Sequence, residues 1–505
     1  MRHRALRTAG VTGLAAVLLA GVMSAPALAQ STTRITLTGN GATSSGGNVT
    51  ISGSAVTITG PGTYEITGTL NNGYVRVDSP SDGLVTLILN NASISNSSNS
   101  PLQIEDADDV EIVLAPGSSN QLTDAYSYVF PDPNTDEPNA ALFSKADTVI
   151  SGSGSLTVRG NYNDGIASKD DLIINSGTIT VDAVDDGIRG KDLLEINGGT
   201  ITVRAGGDGL KSDDDDADKG IIRITNGTVR VSSGDDAIRG QNEVDISGGN
   251  VTVTQSYEGI EALRVRLRGG TVDVTATDDG INAVEDGLDE FAVSQNAFIN
   301  ISGGTVVVNA DVDGLDSNGS ITFTGGTTVV NGHAGGLPGE GAIDANGPVN
   351  FNGGTVFAAG TSAMALLSTP TTNGQGWVVA SLNGNQGPNT VVHLVSNGQV
   401  LVSYRAPKTF REFVFSSNRI VNGQSYQVYL GGSITGTVIG GMSTSGSIAG
   451  ANQVATATAG QYSGGIGWPP GGGWPPGGGW PPWPPGGGWP PPPPPPSDSP
   501  SPNPP

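Results

Sequence analysis

The chain has 505 residues, with 47 Asp and Glu against 23 Lys and Arg, 78 glycines and no cysteine. So acidic a chain repels a phosphate backbone, which excludes nucleic acid as a partner, and it repels acidic polysaccharides unless a divalent cation bridges the two. The lack of cysteine excludes disulfides and thiolate metal sites, leaving packing, hydrogen-bond ladders or bound metal as sources of stability.

Residues 1–29 read as a secretory signal. Arg2, Arg4 and Arg7 form a basic start, Val11 to Val22 an apolar run, and Ala27-Leu28-Ala29 a small-residue cleavage site. The apolar run is short for a bilayer, and no other stretch approaches the ~20 apolar residues a span needs. The expectation is an exported protein without membrane insertion, extracellular or associated with the cell wall. Removing the three arginines leaves 20 basic against 47 acidic side chains, a formal charge of −27.

Residues 30–139 carry β-patterned runs with irregular spacing, such as Val56-Thr57-Ile58 and Leu84 to Leu89, and are expected to form N-terminal coils and a cap. The segment Tyr126 to Asn139 holds three prolines and reads as a protruding loop.

From residue 140 to 360 the chain repeats. Asp164-Gly-Ile, Asp186-Gly-Ile, Asp208-Gly-Leu, Asp236-Ala-Ile, Glu258-Gly-Ile, Asp279-Gly-Ile and Asp313-Gly-Leu follow one another, most of them 21 or 22 residues apart. Three apolar sets recur in each repeat: the residue after the acidic pair (Ile166, Ile188, Leu210), a pair two apart (Leu172 and Ile174) and a second such pair (Ile179 and Val181). Alternation with period two puts each pair on one side of a short strand, and three inward sets require three faces. The reading is an all-β chain built on a right-handed parallel β-helix with coils of about 22 residues and ~4.8 Å apart; a propeller blade needs roughly twice that period.

Beyond the repeat, 361–432 alternates well without an Asp-Gly triplet and reads as a C-terminal β module closing the last coil. Residues 433–505 are rich in Gly, Ser and Thr, then in Trp, Pro and Gly, and are expected to be a disordered tail, with cell-wall contact as one role for its tryptophans.

Stacked coils place Asp164, Asp186, Asp208, Asp236, Glu258 and Asp279 in one column, with Asp185, Asp235 and Asp278 beside it. Carboxylates ~4.8 Å apart repel by about 1 kcal/mol in water and by several at lower dielectric. A hard cation relieves this, and Ca²⁺ takes 6 to 8 oxygens at ~2.4 Å, so these residues, with Asp213 and Asp214 of the Asp213-Asp214-Asp215-Asp216 insertion, are candidate calcium ligands. The glycine beside each acid is expected to leave backbone carbonyls open as further ligands. Arg189, Lys211 and Arg239 stand three residues past Asp186, Asp208 and Asp236, and Lys145, Lys169 and Lys191 occupy a neighbouring register. They either balance the acids or, in the case of Arg189, Lys211 and Arg239, meet an acidic sugar held through Ca²⁺. A β-eliminating lyase would use Lys169, Lys191 or Lys211 as base beside the metal. Isolated His333 and His393 support neither a hydrolase triad nor a zinc site.

The run Asn161-Tyr-Asn-Asp-Gly-Ile-Ala-Ser-Lys-Asp-Asp-Leu172, with Asp208-Gly-Leu-Lys-Ser212 and Lys219-Gly-Ile-Ile222, resembles secreted bacterial carbohydrate-binding β-helix proteins related to family nine polysaccharide lyases. The likeness covers roughly 90–431. It implies calcium binding and non-catalytic attachment to plant polysaccharides such as cellulose or polygalacturonate. The alternatives are a uronate lyase or a structural surface spacer. Ala237 in place of Gly, Ser256-Tyr257-Glu258 in place of an Asp pair, and Glu261 in place of a base depart from the pattern.

Overall fold

Alternating β-branched residues punctuated by glycine have one way to bury three apolar stripes at once, which is to wind into coils whose strands pair in parallel with those above and below. The computed structural model describes residues 32–130, 134–289, 292–335, 341–361 and 370–462, and it has this architecture without a helix. The expected signal at 1–29 and the tail beyond 462 lie outside the described residues.

All three inward sets fall in register. The first face stacks Val75, Leu102, Leu142, Ile166, Ile188, Leu210, Ile238, Ile260, Ile281 and Leu315. The second runs through Leu172, Leu194, Ile222, Val244, Val265, Ile299 and Ile321. The third runs through Ile179, Ile201, Val229, Val251, Val272 and Val306. The stacking reaches back to Gly62–Leu70, which pairs in parallel with Thr33–Gly39, so the irregular N-terminal region belongs to the same solenoid. Two antiparallel hairpins, Thr33–Gly39 with Ala42–Ser44 and Val49–Ser52 with Ala55–Ile58, sit at this end.

The two long coils among the acidic triplets from Asp164 to Asp313 gain their length at one corner, between first-face and second-face strands. Residues 213–220 precede Ile221–Ile224, and residues 284–297 precede Phe298–Ile301. The registers on either side are unchanged.

At the C-terminal end Phe410–Ser416 lies antiparallel against both Val349–Gly360 and Trp377–Gln386, which ends the parallel ladder. A five-stranded sheet packs a second core of Phe357, Tyr404, Phe413 and Phe415. The disordered reading of 433–505 fails for its first thirty residues. Asn452–Thr458 pairs with Ser425–Leu430, Met442–Ser443 pairs with Gln399–Arg405, and Met442 is buried. Small polar residues make acceptable strands when the neighbouring strand supplies register and core. A chain truncated after Gly432 therefore loses the four strands Ser433–Thr435, Met442–Ser443, Ser445–Ser447 and Asn452–Thr458, and with them the Met442 side chain. Removing a buried Met side chain alone costs about 2–5 kcal/mol, so the truncated module is expected to melt well below that of a chain ending at Tyr462, as scanning calorimetry would show.

Candidate functional site

Each acidic triplet lies on the entry to the first-face strand. Asp164, Asp186, Asp208, Asp236 and Asp313 are all buried, because the backbone at the triplet is pressed against the next coil. Much of the column is held by a backbone ladder. Asp186 Oδ1 accepts the Asp208 N–H (3.0 Å), Asp208 Oδ1 accepts the Asp236 N–H (3.1 Å), and Asp279 Oδ1 accepts the Asp313 N–H (2.8 Å). These carboxylates satisfy donors that β pairing leaves over at the corner.

The neighbouring glycine has another role than the one expected. Its carbonyl is consumed: Gly187 O accepts the Ile166 N–H and Gly209 O accepts the Ile188 N–H, each at 3.0 Å. A Cβ at Gly187 would overlap Val203 Cγ1 and stand 2.5 Å from Gly209 O, so the residue is glycine because two coils touch there.

The basic residues form ion pairs within the corner. Lys211 Nζ bridges Asp186 (2.9 Å) and Asp208 (2.8 Å), and Arg239 bridges Asp236 (3.1 Å) and Glu261 (3.0 Å). Arg189 holds Asp213 through two nitrogens at 2.9 and 2.6 Å. Lys191 pairs with Asp214 at 2.7 Å and Lys169 with Glu137 at 2.8 Å. Burial pulls the Lys211 ammonium down, but Asp208 and Asp186 outweigh it and the net shift is upward; the Asp214 hydrogen bond raises Lys191. Ammonium groups held in this way make poor general bases. The charge-balancing role accounts for all of these pairings.

The acids exceed the bases that meet them. Burial, then the charge of Asp186, pushes Asp164 up to about 7; burial, then Glu261 and Asp208, does the same to Asp236. Glu258 is pushed up to about 10 by burial and then by Glu261. Between Asp236 and Asp279 the column changes character. Glu258 stands where its neighbours carry aspartate, and its Oε2 accepts from Asn282 Nδ2 at 3.2 Å. The other end of that amide, Asn282 Oδ1, is buried with no hydrogen-bond partner. Oxygens of Asp236, Glu258 and Glu261 lie within 4.8 Å of one another. Three gathered carboxylates, with an orphaned amide oxygen on the side chain that bonds Glu258, offer oxygens of the kind a hard cation takes.

Of the ten aspartates expected as metal ligands, the structure gathers Asp208, Asp235 and Asp236 within the same distance, and it gathers Asp214 with Asp215 and Asp216. Asp213 is taken by Arg189, while Asp185 stands exposed beside the buried Asp186. Asp164, Asp185, Asp186, Asp278 and Asp279 fall in no three-acid group among the described residues. Sequence reasoning missed two groups. Asp313, Asp316 and Asp344 meet at the C-terminal end of the column. Asp147, Asp170 and Asp171 meet on the second corner, where burial and then Asp170 push Asp171 up to about 6. The signal for the latter was that Asp147 and Asp171 each precede the first inward residue of a second-face strand, Thr148 and Leu172.

Residues 52–288 match a family model described as carbohydrate-binding domain-containing protein. A carbohydrate-binding domain-containing protein of Acetivibrio thermocellus is 43% identical over 123 residues, which is 24% of this chain and 43% of that protein. The chain thus spans less than half the length of this curated relative. A solved structure described as the polysaccharide lyase-like protein from C. thermocellum, gadolinium derivative, is 37% identical over 44% of this chain and 91% of its own, with a TM-score of 0.44.

Proposed function

We propose, from the membership of residues 52–288 in the carbohydrate-binding domain-containing family, that this chain is a secreted, calcium-dependent and non-catalytic polysaccharide-binding protein. The observation that carries the calcium part is the corner of Asp236, Glu258 and Glu261 beside the unpartnered Asn282 Oδ1. These four residues would hold the ion, and Asp236 shares a second group with its neighbour Asp235 and with Asp208 one coil away. Bound there, Ca²⁺ would supply positive charge on an otherwise negative face, to which sugar oxygens would be drawn. Arg239 and Lys211 orient the carboxylates by pairing with them, and they flank the place where a sugar acid would arrive. Plant cell-wall glycans, cellulose-like or polygalacturonate-like, are the substrates this reading favours.

A lyase needs a neutral amine near the uronate. Lys191 and Lys211 are held as ammonium ions by carboxylates, and Lys169 is paired with Glu137, so the binding reading stands ahead of the catalytic one. Retention on insoluble polygalacturonate should be strong with Ca²⁺, should drop at least tenfold with chelator, and should drop likewise in Glu258→Gln. Incubation with polygalacturonate should yield no unsaturated product. Sustained product formation that is lost in Lys169, Lys191 and Lys211 alanine variants would overturn the non-catalytic reading; retention indifferent to chelator would overturn the calcium dependence.

A further inference from the structure

The N-terminal coils carry a groove of ≈670 Å³, several coils away from the acidic corner and on the same face of the solenoid. That is the size range of small-molecule sites. Its floor is the outward row of the strands Tyr74–Asp78 and Leu102–Asp106, and its far wall is formed by Val129, Thr135, Glu137 and Pro138.

The floor is preorganised. Gln103, almost wholly buried, accepts both Arg76 nitrogens on Oε1 (3.0 and 2.8 Å) and donates through Nε2 to Ser100 O (2.8 Å). Arg76 lies over the Tyr74 ring, 4.8 Å from its centroid, which fixes the aromatic plane. Asn96 Oδ1 gathers the Ser98 and Asn99 N–H groups at 3.0 and 3.1 Å, and Asn99 Nδ2 reaches across to Val129 O (3.3 Å), tying loop to floor. Side chains locked by their neighbours in this way lose little entropy when a ligand arrives.

The charges decide what arrives. Glu105 is neutralised by Lys145 (3.0 Å), and Glu137 by Lys169 (2.8 Å) and Lys145 (3.5 Å). Asp78 and Asp106, adjacent in register on neighbouring coils, have no ion-pair partner among the described residues and are exposed. Two open carboxylates against one guanidinium disfavour a uronate. They suit a ligand that donates hydroxyl hydrogens, since charge-assisted O–H bonds to carboxylate are about twice as strong as neutral ones. A tyrosine plane, amides and open carboxylates along one groove are the chemistry of a polyhydroxylated neutral ring.

We propose that this groove is a second glycan site, distinct from the calcium corner and selective for neutral over acidic sugar chains. It rests on the reading of the chain as a polysaccharide binder. The test is calorimetric titration of the full chain with a neutral β-linked glucose hexamer and, separately, a galacturonate hexamer with Ca²⁺. The neutral hexamer should bind equally with and without chelator and lose at least tenfold in affinity in Tyr74→Ala and in the double variant Asp78→Asn, Asp106→Asn. Asp78 and Asp106 are exposed, so the double variant keeps the fold, as its circular dichroism and melting midpoint will verify. Unchanged binding of the neutral hexamer in these variants, or its loss on addition of chelator, overturns the proposal. Binding of the galacturonate hexamer alone overturns the groove and leaves the polysaccharide-binding reading intact, whereas binding of neither overturns both.

Discussion

With chelator present, the protein is expected to melt at a higher temperature at pH 5 than at pH 8, and calcium is expected to narrow that difference. Asp164 and Asp236 titrate near 7 in the folded chain against 3.8 for an ordinary aspartate, Asp171 near 6, and Glu258 near 10 against 4.5. A carboxyl with a raised folded value binds its proton more tightly folded than unfolded. The stability this gives is complete below the unfolded value and is lost as the pH rises through the folded one. At 1.36 kcal/mol per unit, a shift like that of Asp164 corresponds to about 4 kcal/mol lost across the window from pH 4 to 7. Two groups oppose the trend at the acid end. Asp214, drawn down to about 2 by Lys191, loses its contribution below pH 4, and His393, lowered by burial in the C-terminal module, adds a penalty as the pH falls below its unfolded value of 6.5. The metal-free optimum should therefore lie near pH 5. Ca²⁺ must displace these protons, so its stabilisation, about 2.7 kcal/mol at a hundredfold excess over its dissociation constant, is greatest at pH 8. Melting curves across this range with and without chelator decide the matter. Superimposable profiles would refute the assignment of calcium to the column.

Asp208→Ala should be the most damaging single change in the column. It removes the acceptor of the buried Asp236 N–H and one of the two carboxylates that hold Lys211. Breaking a buried pair from one side costs about 3–5 kcal/mol, because the group left behind has been taken out of water. Asp208→Asn keeps the Oδ1 acceptor and should cost less than half as much. The check is the shift of the urea midpoint at constant slope, read in calcium-free buffer so that metal loss does not contribute. A cost of Asp208→Ala below about 1 kcal/mol would mean that water reaches the ladder and that the column has no structural role.

The three inward sets were legible in the sequence because a period of two and a period of about 22 are both properties of the chain alone, and the registers of Ile166, Leu172 and Ile179 with their successors follow from them. What the acids do was less legible. The sequence places Asp186, Asp208 and Asp236 in a column, but the N–H groups their carboxylates meet belong to the next coil and depend on a corner shape that no residue pattern encodes. The purpose of Gly187 was misread for the same reason, since the clash it avoids is with Val203, sixteen residues on. The strands between 433 and 458 were missed because only scattered apolar residues such as Ile434 and Met442 mark them, and their pairing is dictated by the sheet they join.

The corner that admits residues 213–220 and 284–297 has a practical side. A coil there accepts a loop of eight or fourteen residues, and the strands above and below still meet partner to partner. Loop-closure entropy grows slowly with length, and the ladder fixes both ends of the loop. The corresponding turn of the short coils, at Lys169-Asp170 and Lys191-Asp192, is thus a port at which a foreign peptide can be grafted onto a rigid rod, with each coil up or down the axis setting the height of display in steps of about 4.8 Å.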